Sequence, residues 1–194
     1  MDTKSSKNDR FAKLATMSEM VFHAGDASNM WDIRNKNTLY QTLSRYAKQG
    51  LIHRIHKGLY SLKRLSELNP YEVGIKSLHG FAYISCESVL FGQAIINQSP
   101  REITIVSGVS RRYAIGDMLF RSRKLYDNFL HNNIGIEIKN GIRFATLERA
   151  VADMLYFSPN RYFDATNSKL IDWGKVQTVI DSVGYKIKIK NKRL

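Results

Sequence analysis

Cysteine is nearly absent from this chain of 194 residues: Cys86 is the only one. A lone thiol excludes an intramolecular disulfide and any cysteine-rich zinc site. It lies in an apolar-flanked stretch, which predicts a small buried core residue rather than a nucleophile. Long apolar runs are missing too. Nothing approaches the roughly 18 residues that a membrane span requires, and the opening MDTKSSKNDR has no apolar core of the signal-peptide kind. The expectation is a cytoplasmic protein without a membrane partner. Acidic residues are scarce: 17 Asp plus Glu stand against 30 Lys plus Arg, giving a net charge of +13. Such a balance attracts a polyanion, whether DNA, RNA or an anionic membrane surface.

Catalytic groupings are equally thin. The five histidines are scattered, with no pair at metal-site spacing. No glycine-rich phosphate loop is present. Ser85 and Ser88 have no neighbouring His and Asp to make a nucleophile, and are read as caps for the helix that follows a strand. One constellation points the other way. Glu137-Ile-Lys139, with Asp127 upstream, has the E-x-K spacing by which some nucleases hold Mg²⁺ and orient water. Its alternative is an exposed strand face ending at the Asn140-Gly141 turn, where a hairpin leaves little room for a buried metal pocket. No catalytic residue, metal or cofactor is therefore assigned.

What is present begins with a hydrophobic content of 43%, enough for one large or two small globular domains. The most informative stretch is RNKNTLYQTLSRYAKQGLIHRIHKGLYSLKR, from Arg34 to Arg64. Leu39, Leu43, Tyr46 and Ala47 recur with helical period, leaving Asn37, Thr38, Gln41, Ser44, Arg45 and Lys48 on the opposite face. With Asn37 as N-cap and Gly50 as stop, the predicted helix runs from about Thr38 to Gln49. Leu51–Ile55 and Leu59–Lys63 flank His56-Lys57-Gly58, which predicts a hairpin with a basic tip. Asn, Gln and Arg side chains match base edges in the major groove. Arg54, His56 and Lys57 would then meet phosphate or the minor groove. The competing explanation is an ordinary amphipathic helix with a solvated face.

Upstream, Phe11, Leu14, Ala15, Met17, Ser18 and Val21 suggest a first helix starting at Asp9, with residues 1 to 8 frayed. Gly25-Asp26-Ala27-Ser28 is read as a break, and Met30, Trp31 and Ile33 as a short second helix. Three helices before a hairpin are the order of a winged helix-turn-helix, here residues 1–66. Up to Arg64 the net charge is +7, against +6 for the longer remainder, so the N-terminal part is more densely positive.

Residues 67–194 read as a mixed α/β domain, so the predicted class is α+β. Pro70 opens a helix over Tyr71–His79, followed by strand Phe81–Ser85 and helix Glu87–Ala94. Strands are predicted at Glu102–Val106, Met118–Ser122 and Ile134–Ile138, and Asn140-Gly141 turns the last into Ile142–Ala145. Thr146 caps a helix that buries Leu147, Ala150, Val151, Met154 and Leu155, leaving Glu148, Arg149 and Asp153 outside. Asp172 caps a final helix with Trp173, Val176, Val179, Ile180 and Val183 inward and Gly184 as its stop, whereas the segment around Tyr162-Phe163-Asp164 is less readable. The tail YKIKIKNKRL is either a solvated edge strand, a disordered tail or a nucleic-acid arm. Arg111, Arg112, Arg121, Arg123 and Lys124 are the densest basic group of this half. On a strand Arg121 and Arg123 share a face, which suits phosphate or an acidic partner, or is simply solvated.

The ordered set TLYQTLSRYAKQGLIHRIHKGLYSL, FAYISCESVLFG, PREITIVSG and GIRFATLERAVADML, spanning about residues 38 to 155, resembles the AbiEi antitoxins of bacterial abortive-infection toxin–antitoxin systems. Cys86 stands where the family is expected to carry a more polar residue, with Ser85 and Ser88 in place. The resemblance implies a winged domain that binds double-stranded operator DNA, expected as an inverted repeat, and represses its own operon. It implies further a C-terminal domain that counters a nucleotidyltransferase-like toxin without need of a stable complex, as in type IV systems. The basic group from Arg111 to Lys124 is the candidate antitoxin surface. Two alternatives stand beside it: a DNA-binding domain fused to an E-x-K nuclease, and a regulator whose second domain senses a ligand.

Overall fold

Around the central helix, α3 (Lys36–Lys48), the N-terminal elements assemble through short-range stops and long-range pairing. The computed structural model describes residues 5–160, 163 and 169–187. The chain divides into two units, Met1–Ser77 and Leu78–Leu194, each with its own core.

In the first unit α3 starts at Asn35, whose side chain accepts the Thr38 N–H at 3.1 Å, so Asn35 and not Asn37 is the N-cap. It ends at Gly50, whose φ of +71° suits a residue without Cβ. Helices α1 (Ser5–Ala15) and α2 (Ala24–Trp31) precede it. The first helix therefore begins four residues before Asp9. Gly25 to Ser28 do not break the chain but lie inside α2. The His23 N–H donates to the Asp26 carboxylate at 2.7 Å, which caps the helix, and Ala24 and Ala27 are small enough to be buried. Trp31 then closes α2 onto α1, its indole N–H donating to the Arg10 carbonyl at 2.8 Å, and its ring meets Tyr46 edge-on.

Strand β1 (Val21–His23) occupies residues that periodicity assigned to the first helix and its end. It pairs with β3 (Leu59–Ser61), and β3 with β2 (His53–His56), in an antiparallel sheet of order β1-β3-β2. A 3₁₀ turn at Leu65–Glu67 leads into α4 (Pro70–Lys76). The Glu72 carboxylate of α4 accepts the Met20 and Val21 N–H groups, and Lys76 pairs with Glu19. These ties attach α4 to the first unit and move the boundary from residue 66 to Ser77.

The second unit is built on a six-stranded mixed sheet of order β6-β7-β5-β4-β9-β8. Its strands are β4 (Ala82–Ile84), β5 (Ile103–Ser107), β6 (Arg111–Ile115), β7 (Met118–Lys124), β8 (Ile136–Lys139) and β9 (Ile142–Ala145). β4 runs parallel to β9 and β5 parallel to β7; the remaining neighbours are antiparallel. Asn140 and Gly141, at φ +51° and +77°, form the expected two-residue turn between β8 and β9. Among the described residues the helices of this unit are α5 (Glu87–Gly92), α6 (Asp127–Leu130), α7 (Leu147–Phe157) and α8 (Trp173–Val183). Thr146 caps α7, and Asp172 and Gly184 bound α8, as predicted. Trp173 is only half-buried, against Phe163. Strand β6 and helix α6 are additions to the expected set. The architecture is α+β.

Candidate nucleic-acid interface

Helix α3 turns Leu39, Thr42, Leu43 and Tyr46 into the core, so its other face must meet solvent. Asn37, Thr38, Gln41, Ser44 and Lys48 are all exposed there. Thr38 is engaged in the cap through both its N–H and its hydroxyl, leaving Asn37, Gln41 and Ser44 as the freer hydrogen-bonding groups. Arg45 is half-buried. Its guanidinium lies 5.8 Å from the Tyr46 ring, and its Nε is buried without a partner among the described residues. At the hairpin tip, β2 and β3 bring out Arg54, His56 and Lys57, all exposed, with Gly58 at φ +84° making the turn. A register shift between Arg54 and His56 bulges β2, which re-aims the tip.

Two grooves join these parts. One follows α3 past Asn37, Gln41, Ser44 and Lys48; the other lies between α3 and the hairpin, past Lys48, Arg54 and Lys57. Tyr40 lines both and is 41% exposed. The sequence reading placed it on neither face. Its spacing, three after Asn37 and four before Ser44, was the available signal. The assembly therefore offers donors, acceptors and one aromatic ring along a helix, bordered by cations. Of the helix and hairpin residues named from sequence, Asn37, Gln41, Ser44, Arg45, Lys48, Arg54 and Lys57 line these grooves, and Thr38 and His56 line neither.

The basic group of the second unit is not brought together. Arg112 faces Arg121 across β6 and β7, while Arg111 faces Ser122 on the opposite side of the sheet. Arg123 shares the Arg121 face as strand alternation requires, yet it is only 8% exposed. It is ion-paired with Glu87, and its guanidinium lies 5.5 Å from the Phe157 ring. Arg123 thus leaves the candidate surface, because α5 and α7 cover that end of the face. Lys124 is exposed on the other side, beside Tyr126, and Arg111 lies over Tyr113.

A larger correction concerns α7. Arg149 and Asp153, expected outside, are both fully buried and paired at 2.9 Å. Arg149 also donates to the carbonyls of Phe129, Asn132 and Ile134 and to the Tyr83 hydroxyl. Asp153 accepts from the hydroxyls of Tyr83, Ser85 and Tyr185. Every formal charge is thereby met by hydrogen bonds, the condition for burying an ion pair. Burial, reinforced by Asp153, raises both tyrosines well above the usual phenol range, so they remain protonated donors. For Arg149 burial works against the cation, but Asp153 together with Tyr83 and Tyr185 outweighs it and holds the pKa above the ordinary value.

The same network explains two smaller departures, at Ser85 and Tyr185. Ser85 serves Asp153 and Ser88 accepts the Thr104 N–H, so neither caps α5. Tyr185, read as the start of a solvated tail, is buried; residues 188–194 of that tail lie outside the described residues, as do Tyr162 and Asp164. Cys86 is fully buried as expected, and burial raises its thiol pKa, so the sulfur is not a poised thiolate. Glu137 and Lys139 are exposed on β8 and pair with each other at 2.9 Å. Among the described residues no group of three or more His, Cys, Asp or Glu gathers to hold a metal, and no helix is long and apolar enough to cross a membrane.

No family model matches the chain. No curated protein matches it either. Among solved structures it is similar to the crystal structure of the RV2827C protein from Mycobacterium tuberculosis, with a TM-score of 0.53 and 9% identity over 92% of this chain and 73% of that one. At that identity the likeness concerns fold alone.

Proposed function

We propose that the chain is a DNA-binding antitoxin of an abortive-infection system. Its first unit acts as a winged helix-turn-helix that represses its own operon, and its second unit counters a nucleotidyltransferase-like toxin. The observation that supports this most is the exposed face of α3, with Asn37, Gln41 and Ser44 along it, set beside the Arg54–Lys57 hairpin tip. In this reading α3 is the recognition helix, reading base edges with side chains whose donors and acceptors suit them. The hairpin is the wing and grips phosphate without regard to sequence. The positive balance of the chain supplies the salt-dependent part of the affinity. The antitoxin role rests on the resemblance of the four motifs to AbiEi proteins.

Mobility-shift titration of the upstream promoter duplex against a scrambled duplex tests the DNA reading. Gln41→Ala should cost about 1–3 kcal/mol on the specific duplex and little on the scrambled one. Lys57→Ala should weaken both alike. Equal losses on both duplexes for Gln41→Ala would remove α3 as the reading element. Co-expression of toxin with residues 78–194 alone tests the second role. Failure of that fragment to restore growth, with protection by residues 1–77, would assign protection to repression.

A further inference from the structure

On the second unit a groove of about 520 Å³ opens where one face of β5, β6 and β7 meets the start of α5, a size within the range of small-ligand sites. Three guanidiniums line it: Arg101, Arg112 and Arg121. Strand register puts Arg112 directly opposite Arg121, with Thr104 on the other flank of Arg121. Like charges directly opposed across a strand pair destabilise a sheet, so this placement is not explained by folding.

The carboxylates nearby do not cancel it. Glu102 pairs with Arg112 at 3.0 Å. Glu87 is occupied on both oxygens, by Arg123 on one and by the Thr104 hydroxyl on the other. Among the described residues no carboxylate pairs with Arg101 or Arg121. Two guanidiniums thus stand unneutralised in one groove, and Arg121 is half-buried on a strand held between two others. A guanidinium fork on a rigid support matches the oxygens of a phosphate in bidentate fashion. Leu119 adds an apolar wall, and Glu102 offers an acceptor for ligand hydroxyls.

We propose that this groove binds the phosphate of a small phosphorylated molecule of nucleotide size, with Arg121 and Arg101 as its grips and Arg112 in support. The proposal does not depend on the DNA reading and narrows the basic group of this unit to one face.

Calorimetric titration of the full chain at low salt, with pyrophosphate in one arm and ADP in the other, tests it. The expected result is saturable one-to-one binding; ADP at least tenfold tighter identifies a nucleotide, and equal affinities identify the polyphosphate itself. Arg121→Gln should weaken binding at least tenfold, and Arg121→Lys, which keeps the charge and stem but loses the fork, should weaken it severalfold with an unchanged melting temperature. Arg111→Gln, on the other face of the sheet, should bind as the parent does. Lys57→Ala should also leave it unchanged, which separates this groove from the basic face of the first unit. Absence of saturable binding, parent-like binding by both Arg121 variants, or loss on Lys57→Ala would overturn the proposal. So would displacement of ADP by duplex DNA that persists in Lys57→Ala, since the groove would then belong to nucleic acid.

Discussion

The hairpin tip of the first unit and the interior of the second use basic side chains in opposite ways. In the first, Arg54 and Lys57 stand in solvent at a hairpin tip and meet no carboxylate among the described residues. In the second, Arg149 and Arg123 are buried against Asp153 and Glu87. Exposed cations contribute little to stability and are available to a partner; buried ones hold strands, helices and loops together and are available to nothing. Arginine density in a sequence therefore says less about binding than the number of neighbours each guanidinium meets.

Removing one side of the buried pair should break this contrast most visibly. Asp153→Ala leaves Arg149 charged and enclosed, and deprives three hydroxyls of their acceptor. A loss of about 3–5 kcal/mol in urea unfolding of the second unit is expected. Arg54→Ala should change stability by less than about 0.5 kcal/mol. The double change Arg149→Met with Asp153→Leu should be milder than Asp153→Ala alone. If instead it were worse, the network's hydrogen bonds rather than its charge balance would be the source of stability.

Next in size is the approach of backbone to Arg149. Gly135 has φ +71°, and a Cβ there would lie 2.7 Å from the Arg149 Cβ. Gly135→Ala should cost about 1–3 kcal/mol, read as a fall in melting temperature. Gly50, also at positive φ but with open space around it, should cost less on the same change, from its backbone strain alone.

The first unit answers with smaller numbers. Asn35→Ala removes the cap of α3 and should cost about 1 kcal/mol, with Asn35→Asp nearly neutral. Thermal unfolding of the fragment 1–77 reads this directly.

The smallest effect is a pH dependence at Asp172. The Lys175 N–H that it accepts lowers its carboxyl pKa below the ordinary 3.8. A depressed folded pKa means stability that is present above the ordinary value and lost as pH falls through the folded one. The melting-temperature gap between the parent and Asp172→Ala should therefore be widest at neutral pH and close in acid. A gap that persisted at the acid end would point to packing rather than the charged cap.

Local signals in the sequence decided a good deal. The Asn140-Gly141 turn, the caps at Thr146 and Asp172, the stops at Gly50 and Gly184, Pro70 at a helix start and the inward face of α3 all follow from residues within a few positions of one another. The outward face of α3 and the hairpin tip were legible for the same reason, since turning one face inward exposes the other. Tertiary structure alone decided the rest. Strand β1 has three residues and exists because Val21 finds Ser61 across the sheet. Arg149 and Asp153 sit at positions that helical period gives to solvent, and they are buried because Tyr83, Tyr185 and three carbonyls of the Phe129–Ile134 segment surround them. Arg121 and Arg123 share one strand face, yet only Arg123 is covered by α5 and α7. Period and propensity describe a chain's own faces, whereas burial of a charge depends on partners brought from far along it, and only folding assembles them.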